Sequence, residues 1–326
     1  MARTRTALAA SAALAVTLGV CAGPAHAAAA APAAPAAPKA TTSLYVTLAG
    51  KSTKTAGESA HTAGCAQGRT GRSGVRVLFL GTQQGADRLR PPGTSAKSTK
   101  HAPASLVPVV AKHFTAGFAK CRTGGATATL ALGVNNKQDG GAKAATAGAQ
   151  WARTVQSAAK SATKTVRVTA AIDAEPRWSS PAWARAWVKS FTDATSTPLY
   201  AANSADGCPS SPKGANTCAN KWTLADVHYV STGAARTVHA LPQIYRTDGI
   251  QARQWATIST WGARNGSGPL RFAGSMSQHG ACGQRSGCGR TNNTPAKAWK
   301  QLYDALNSRA ETRPVRLPTA TDIRWL

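Results

Sequence analysis

Negative charge is what this sequence has least of: its 326 residues carry 12 Asp and Glu against 39 Lys and Arg, a formal net charge of +27. Any carboxylates that fall close together therefore stand out. After the amino-terminal segment, no stretch approaches the roughly 18 apolar residues that mark a membrane span, which argues against a second membrane segment. There is no Cys-x-x-Cys, and none of the 7 His stands at a metal-ligand spacing. Neither zinc nor any other metal or cofactor is expected. No Gly-rich phosphate loop follows a predicted strand, which argues against nucleotide binding, and no Gly-x-Ser-x-Gly elbow marks a serine hydrolase. The basic residues are scattered among Thr, Ser, Gly and Ala, without aromatic interleaving or a helix-turn-helix. Specific nucleic-acid recognition is not expected from such a pattern.

What is present begins with an export pattern. Arg3 and Arg5 precede an apolar run from Leu8 to Val20, and Ala25-His26-Ala27 forms a small-residue cleavage site, so residues 1–27 read as a secretory signal. Residues 28–43 follow as an Ala/Pro-rich flexible leader. The remainder predicts a single domain over 44–310 and a tail over 311–326. Loss of the signal removes Cys21 and leaves Cys65, Cys121, Cys208, Cys218, Cys282 and Cys288, an even number that in an exported chain reads as disulfides. Cys208 with Cys218 and Cys282 with Cys288 are near enough to staple single loops, leaving Cys65 for Cys121, although other pairings stay open. The product is expected to be secreted, extracellular or wall-associated, and monomeric. Its basic surface would be drawn to anionic wall polymers.

Short apolar strands alternate with helical stretches from Val75 onward, the pattern of an α/β fold with parallel strands. Strands are predicted at Val75–Gly81, Thr127–Val134, Thr165–Ile172, Leu199–Ala202, Val227–Ser231, Ala240–Ile244 and Leu270–Gly274. Helices are predicted at Ser105–Lys120, Lys143–Ala162, Pro181–Ala194, Gly249–Gly262 and Pro295–Asn307. The helix from Pro181 is the clearest: Ser179 or Ser180 can cap it, and Trp183, Trp187 and Phe191 recur every four residues as a core stripe.

Two of the scarce acids, Asp173 and Glu175, close the strand Val166–Ile172. Side chains alternate along a strand, so both point the same way with Cα atoms about 6.5–7 Å apart. Pro176 cannot donate to a ladder and should stop the strand. Most of the other predicted strands also end in polar residues, among them Gln83, Asn135, Asn203, Gln243 and Tyr245. In the strand Thr127–Val134, Thr129, Ala131, Gly133 and Asn135 share one face and Leu130, Leu132 and Val134 the other. A ring of polar ends above a small-residue interior predicts a (β/α)8 TIM-type barrel, regular or irregular, with disulfide-stapled loops. Seven strands are visible; Leu44–Leu48 can supply an eighth, and an open doubly wound sheet is the alternative.

Paired acids at a barrel mouth suit glycoside hydrolysis, in which the leaving oxygen needs a proton and the developing cationic sugar needs an anion. Glu175, further out, is the candidate general acid. Asp173, deeper, would stabilise the cation or orient an N-acetyl group. Trp178 and Tyr245 would offer ring faces to a sugar, and Gln83, Asn135, Asn203 and Gln243 would read its hydroxyls.

Asp173-Ala174-Glu175 resembles the Asp-x-Glu signature of family 25 muramidases, secreted barrels that cleave peptidoglycan. Over residues 75–305 the chain resembles the glycoside-hydrolase-like barrels of unknown function found in exported actinobacterial proteins. The resemblance lies in Leu80-Gly81-Thr82-Gln83, Leu132-Gly133-Val134-Asn135-Asn136, Ile172 to Trp178, Leu241-Pro242-Gln243-Ile244-Tyr245, Gln254-Trp255 and Phe272-Ala273-Gly274. It implies a polysaccharide partner such as peptidoglycan and a muramidase-like hydrolase. The muramidase pattern also has an Asp at the end of the first strand, where this sequence has Gln83. Two alternatives stay open: a barrel that binds glycan without cleaving it, and a basic secreted factor that binds polyanions.

Overall fold

The computed structural model describes residues 35–326 except Ala86, Ser286 and Pro314. The expected signal with Cys21, and residues 28–34 of the expected leader, lie outside the described residues. The parallel strands are β1 Thr41–Tyr45, β2 Gly74–Gln84, β3 Ala128–Asn135, β4 Val166–Asp173, β5 Leu199–Ala201, β6 Val238–Ala240, β7 Gly274–Ser277 and β8 Thr319–Trp325. They lie side by side in the order β6, β5, β4, β3, β2, β1, β8, β7. Bridges between Ala240 and Phe272 and between Gln243 and Met276 join β6 to β7 and close the ring. This is a (β/α)8 barrel.

The alternation along each strand divides the core in two. Val166, Val168, Ala170 and Ile172 of β4 join the large apolar layer between strands and helices. Ala171 joins a smaller cluster inside the ring, with Val75, Val77, Phe79, Ala131 and Tyr245. Small residues are needed there. A Cβ added at Gly133 would sit 3.0 Å from the Phe79 ring, so the inner surface of β3 gives way to the large side chains of β2.

The outer helices include α1 Thr53–Arg69, α2 Leu106–Cys121, α3 Ala144–Ala159, α4 Pro181–Ala194, α5 Leu224–His228, α6 Ile250–Asn265, α7 His279–Gly283 and α8 Pro295–Asn307. Both α4 and α8 start at a proline behind a hydroxyl cap, Ser180 and Thr294, as the sequence pattern predicts. Disulfides join Cys65 to Cys121, Cys208 to Cys218 and Cys282 to Cys288, the pairing that proximity favoured. Among the described residues no helix is long and apolar enough to cross a membrane.

Four expectations need correction. The predicted strand Val227–Ser231 is helical, because Thr223 and Asp226 cap α5 reciprocally and start a helix that continues as a π-type turn over Tyr229–Gly233. The predicted strand Leu270–Gly274 begins only at Gly274, whose φ of +148° brings it so close to β8 that a Cβ would lie 1.9 Å from the Thr319 carbonyl. The predicted tail over 311–326 contains β8, which pairs in parallel with both β1 and β7. Helix α1 was not read at all. Its interior is rich in Gly and Thr, poor helix formers, yet Ser52 caps it and its glycines let α2 approach.

That approach is close at Gly117, where an added Cβ would lie 2.2 Å from the His61 carbonyl. Gly117→Ala is expected to destabilise the oxidised protein by about 1–3 kcal/mol, the usual cost of overpacking. Denaturant unfolding checks this; an unchanged midpoint would mean that the two helices do not meet so tightly.

Candidate active site

Asp173 is the last residue of β4 and is buried, whereas Glu175 stands two residues beyond and is partly exposed. Their carboxyl groups converge. Gln243 Nε2 donates to Asp173 Oδ1 at 2.8 Å and to Glu175 Oε1 at 3.3 Å, which ties the two acids to one donor.

Three amides from neighbouring strand ends fix this segment. Beyond β3, Asn136 accepts from the Glu175 N–H at 3.0 Å and donates to its carbonyl at 3.1 Å, a clamp on the backbone itself. Asn203, beyond β5, accepts from the Ala174 N–H at 2.7 Å and donates to Ser231. Gln243, beyond β6, also donates to the Ala202 carbonyl at 3.0 Å. The chain after Glu175 is tied down as well, for Asn220 and Trp222 both donate to the Ser179 carbonyl. Both polar groups of Asn203 and the Nε2 of Gln243 are thus engaged within the protein. Tyr245 is corrected: it is buried in the inner cluster with Phe79 and presents no ring face.

Gln83 is a further correction. Its side chain donates to the Ala147 carbonyl and accepts from the Trp187 indole, so it points outward into the helical layer. The cause is a register shift in β2 between Phe79 and Thr82, where Gly81 takes a φ of +99° and lies against the Arg90 carbonyl. The irregularity reverses the alternation, and Thr82 donates to Asn135 in place of the expected residue.

Beside the acids opens a cavity of about 240 Å³ lined by Asp173, Asn135 and Trp178. Tyr45, Phe79, Lys137, Arg285 and Trp325 complete its walls; sequence reasoning missed these. Trp325 stands on the strand misread as tail. Asp206 was missed too. It sits two residues before the loop stapled by Cys208–Cys218, 3.5 Å from Arg177, and its charge acts on both acids. In a chain so short of carboxylates, its place just beyond β5 was the available signal. A larger groove of about 850 Å³ runs on the outer side between α1 and the β1–β8 seam, lined by Thr42, Leu44, Gln67 and Leu326, away from the acids. Among the described residues no group of three His, Cys, Asp or Glu is placed to hold a metal ion.

Burial is the main cause that pushes both carboxyls up. Asp173 is raised well above the usual carboxyl range, by burial and then by the charges of Glu175 and Asp206. Glu175 is pushed up to about 8 by burial and the Asp206 charge, against the pull of Gln243, Lys137 and Asp173. The pair thus retains a proton near neutrality, and two acids on one donor cannot both ionise cheaply.

No known family model matches this sequence, and no curated protein matches it. The chain is similar in structure to an endo-1,4-beta-mannanase from Rhizomucor miehei, with a TM-score of 0.40 and 10% sequence identity, over 90% of this chain and 86% of that one.

The raised acids tie stability to pH. Between the unfolded carboxyl range near about pH 4 and the folded value, the unfolded chain holds fewer protons than the folded one. Stability therefore falls as pH rises through this window. Glu175→Gln removes that opposition, so its melting temperature should exceed wild type at pH 8 and match it near pH 4. A variant less stable than wild type at pH 8 would mean that Glu175 is ionised and paired in the fold.

Proposed function

We propose that this protein is an exported glycoside hydrolase that acts on an N-acetylated cell-wall polysaccharide, with peptidoglycan the favoured substrate. The observation that carries the reading is an acid pair sharing one amide donor at the carboxyl end of β4, where such folds keep their chemistry, beside an aromatic-walled cavity. The disulfides and the amino-terminal export pattern support secretion. The basic surface supports retention on anionic wall polymers, and a monomer suffices for the chemistry.

Glu175 is the general acid, because burial pushes it up to about 8 and it stands two residues further out along the chain than Asp173. Both carboxyls take the same Gln243 amide as donor rather than flanking a gap of the ~6.5–9.5 Å that admits a water between them. Both acids thus serve one side of the sugar, and attack from the other side falls to the substrate. In this mechanism Glu175 gives its proton to the glycosidic oxygen as the C1–O bond breaks. The carbonyl oxygen of the sugar's own N-acetyl group bonds to C1, and Asp173 orients the acetamido N–H. Water then attacks C1 and loses its proton to Glu175, which releases the acetamido oxygen and restores the acid. A substrate without the N-acetyl group lacks the nucleophile.

One observation favours a second reading, a barrel that binds glycan without cleaving it: the strand position where muramidases carry an Asp holds Gln83, turned outward. The basic polyanion-binding reading rests on charge alone.

Reducing-end release from peptidoglycan and from chitin oligomers tests the proposal. Glu175→Gln should lose about 10²-fold or more, the usual contribution of a positioned acid, and wild-type activity should fall as pH rises through about 8. Release equal in mutant and wild type would remove the assignment. Retained wall binding with no release by wild type would establish the binding-only reading.

A further inference from the structure

The cavity carries two cations that the chemistry above does not use. Lys137 Nζ lies 4.8 Å from the centre of the Trp178 ring, and the Arg285 guanidinium lies 4.1 Å from the centre of the Trp325 ring. All four residues line the same space as Asp173. Among the described residues neither cation has a carboxylate within 4.0 Å, whereas Arg177, at the same end of the barrel, is paired with Asp206. An aromatic face holds a cation in place while leaving most of its hydrogen-bond donors free. Lys137 is half-buried and Arg285 stands exposed at the rim, each laid over its ring.

The remaining charges facing the cavity do not cancel them. Asp173 is the one carboxyl group among the described lining residues, and burial raises it well above the usual carboxyl range. The uncharged remainder of the lining is largely aromatic and apolar, with Tyr45, Phe79 and Trp325 along one side. A small, partly desolvated space walled by rings and holding two unpaired cations concentrates an anion.

We infer that the cavity selects a saccharide bearing a carboxylate substituent, held between Lys137 and Arg285 while the sugar lies along Trp178 and Trp325. The inference rests on the glycan reading above and names the class of glycan. Arg285 meets the carboxylate with its planar fork and Lys137 with a point charge.

The test is a binding measurement on Glu175→Gln, which keeps it independent of turnover. Calorimetry would compare a neutral N-acetylglucosamine tetrasaccharide, the same backbone with lactyl carboxylates on alternate sugars, and the same backbone bearing phosphate esters. The lactyl tetrasaccharide should bind about 10-fold or more tighter than the neutral one, about one good charge-assisted contact. Adding Lys137→Ala or Arg285→Ala should abolish the difference and leave neutral binding intact. Lys164→Ala, in the turn before β4 at the opposite end of the barrel, should leave the preference unchanged. Equal affinity for neutral and lactyl ligands, or a preference equally reduced by Lys164→Ala, would overturn the inference, as would a phosphate ligand that outbinds the carboxylate. Selective binding without hydrolysis by wild type would sink the enzymatic reading alone, and no binding of any tetrasaccharide would sink both.

Discussion

One pair of acids governs the upper end of this barrel. Asp173 is buried, Glu175 stands half-buried beside it, and a single amide, Gln243, donates to both. Such a pair is unfavourable as two anions and costly as two unmet neutral acids. The surrounding structure resolves this with amides rather than with a buried cation. Asn136, Asn203 and Gln243 hold backbone and side chains in place without supplying the positive charge that would strip the proton away. Had the clamp been an arginine, the geometry would survive and the acid would not.

The same economy explains the contrast between the buried and open sides of the pair. The few other acids at this end are kept at arm's length: Asp206 faces Arg177, and Asp139 pairs with the buried Arg90. The cations that line the cavity, Lys137 and Arg285, have no such carboxylate partner within 4.0 Å among the described residues and can meet a ligand. A chain with abundant acids would neutralise these positions in trans. The scarcity noted in the sequence is thus part of how the pocket acquires its sign.

Much of the fold was legible because local and tertiary signals agreed. Helices α4 and α8 begin at prolines behind hydroxyl caps, and β4 alternates branched and small residues up to its acids, so period and boundary coincide. The Asp-x-Glu pair was readable for the same reason. What escaped was set by contacts rather than by pattern. The interior glycines of α1 blur a helical period but make sense once α2 lies against them. The β-rich composition of Val227–Ser231 yields to the Thr223–Asp226 cap. Gln83 was placed on the wrong face because a single irregularity at Gly81 reverses parity, which composition does not reveal. Asn203 and Gln243 were found as strand ends, yet their contacts within the protein were not legible, since an amide that reads a sugar and one that steadies an acid look alike in one dimension. Strand β8 was missed because its partners lie at the other end of the chain.

That last arrangement has a consequence for assembly. Ser43 of β1 and Thr321 of β8 meet at 2.8 Å although 278 positions separate them, and the rings of Tyr45 and Trp325 pack at a tilt with centres 4.6 Å apart at the adjoining wall. Contacts of such long range bear their loop-closure entropy before any reward. A nascent or partly translocated chain can form helices and the middle strands, but the hollow has no wall until its first and last strands meet. The cavity is accordingly a property of the whole chain, present only once the ring has locked.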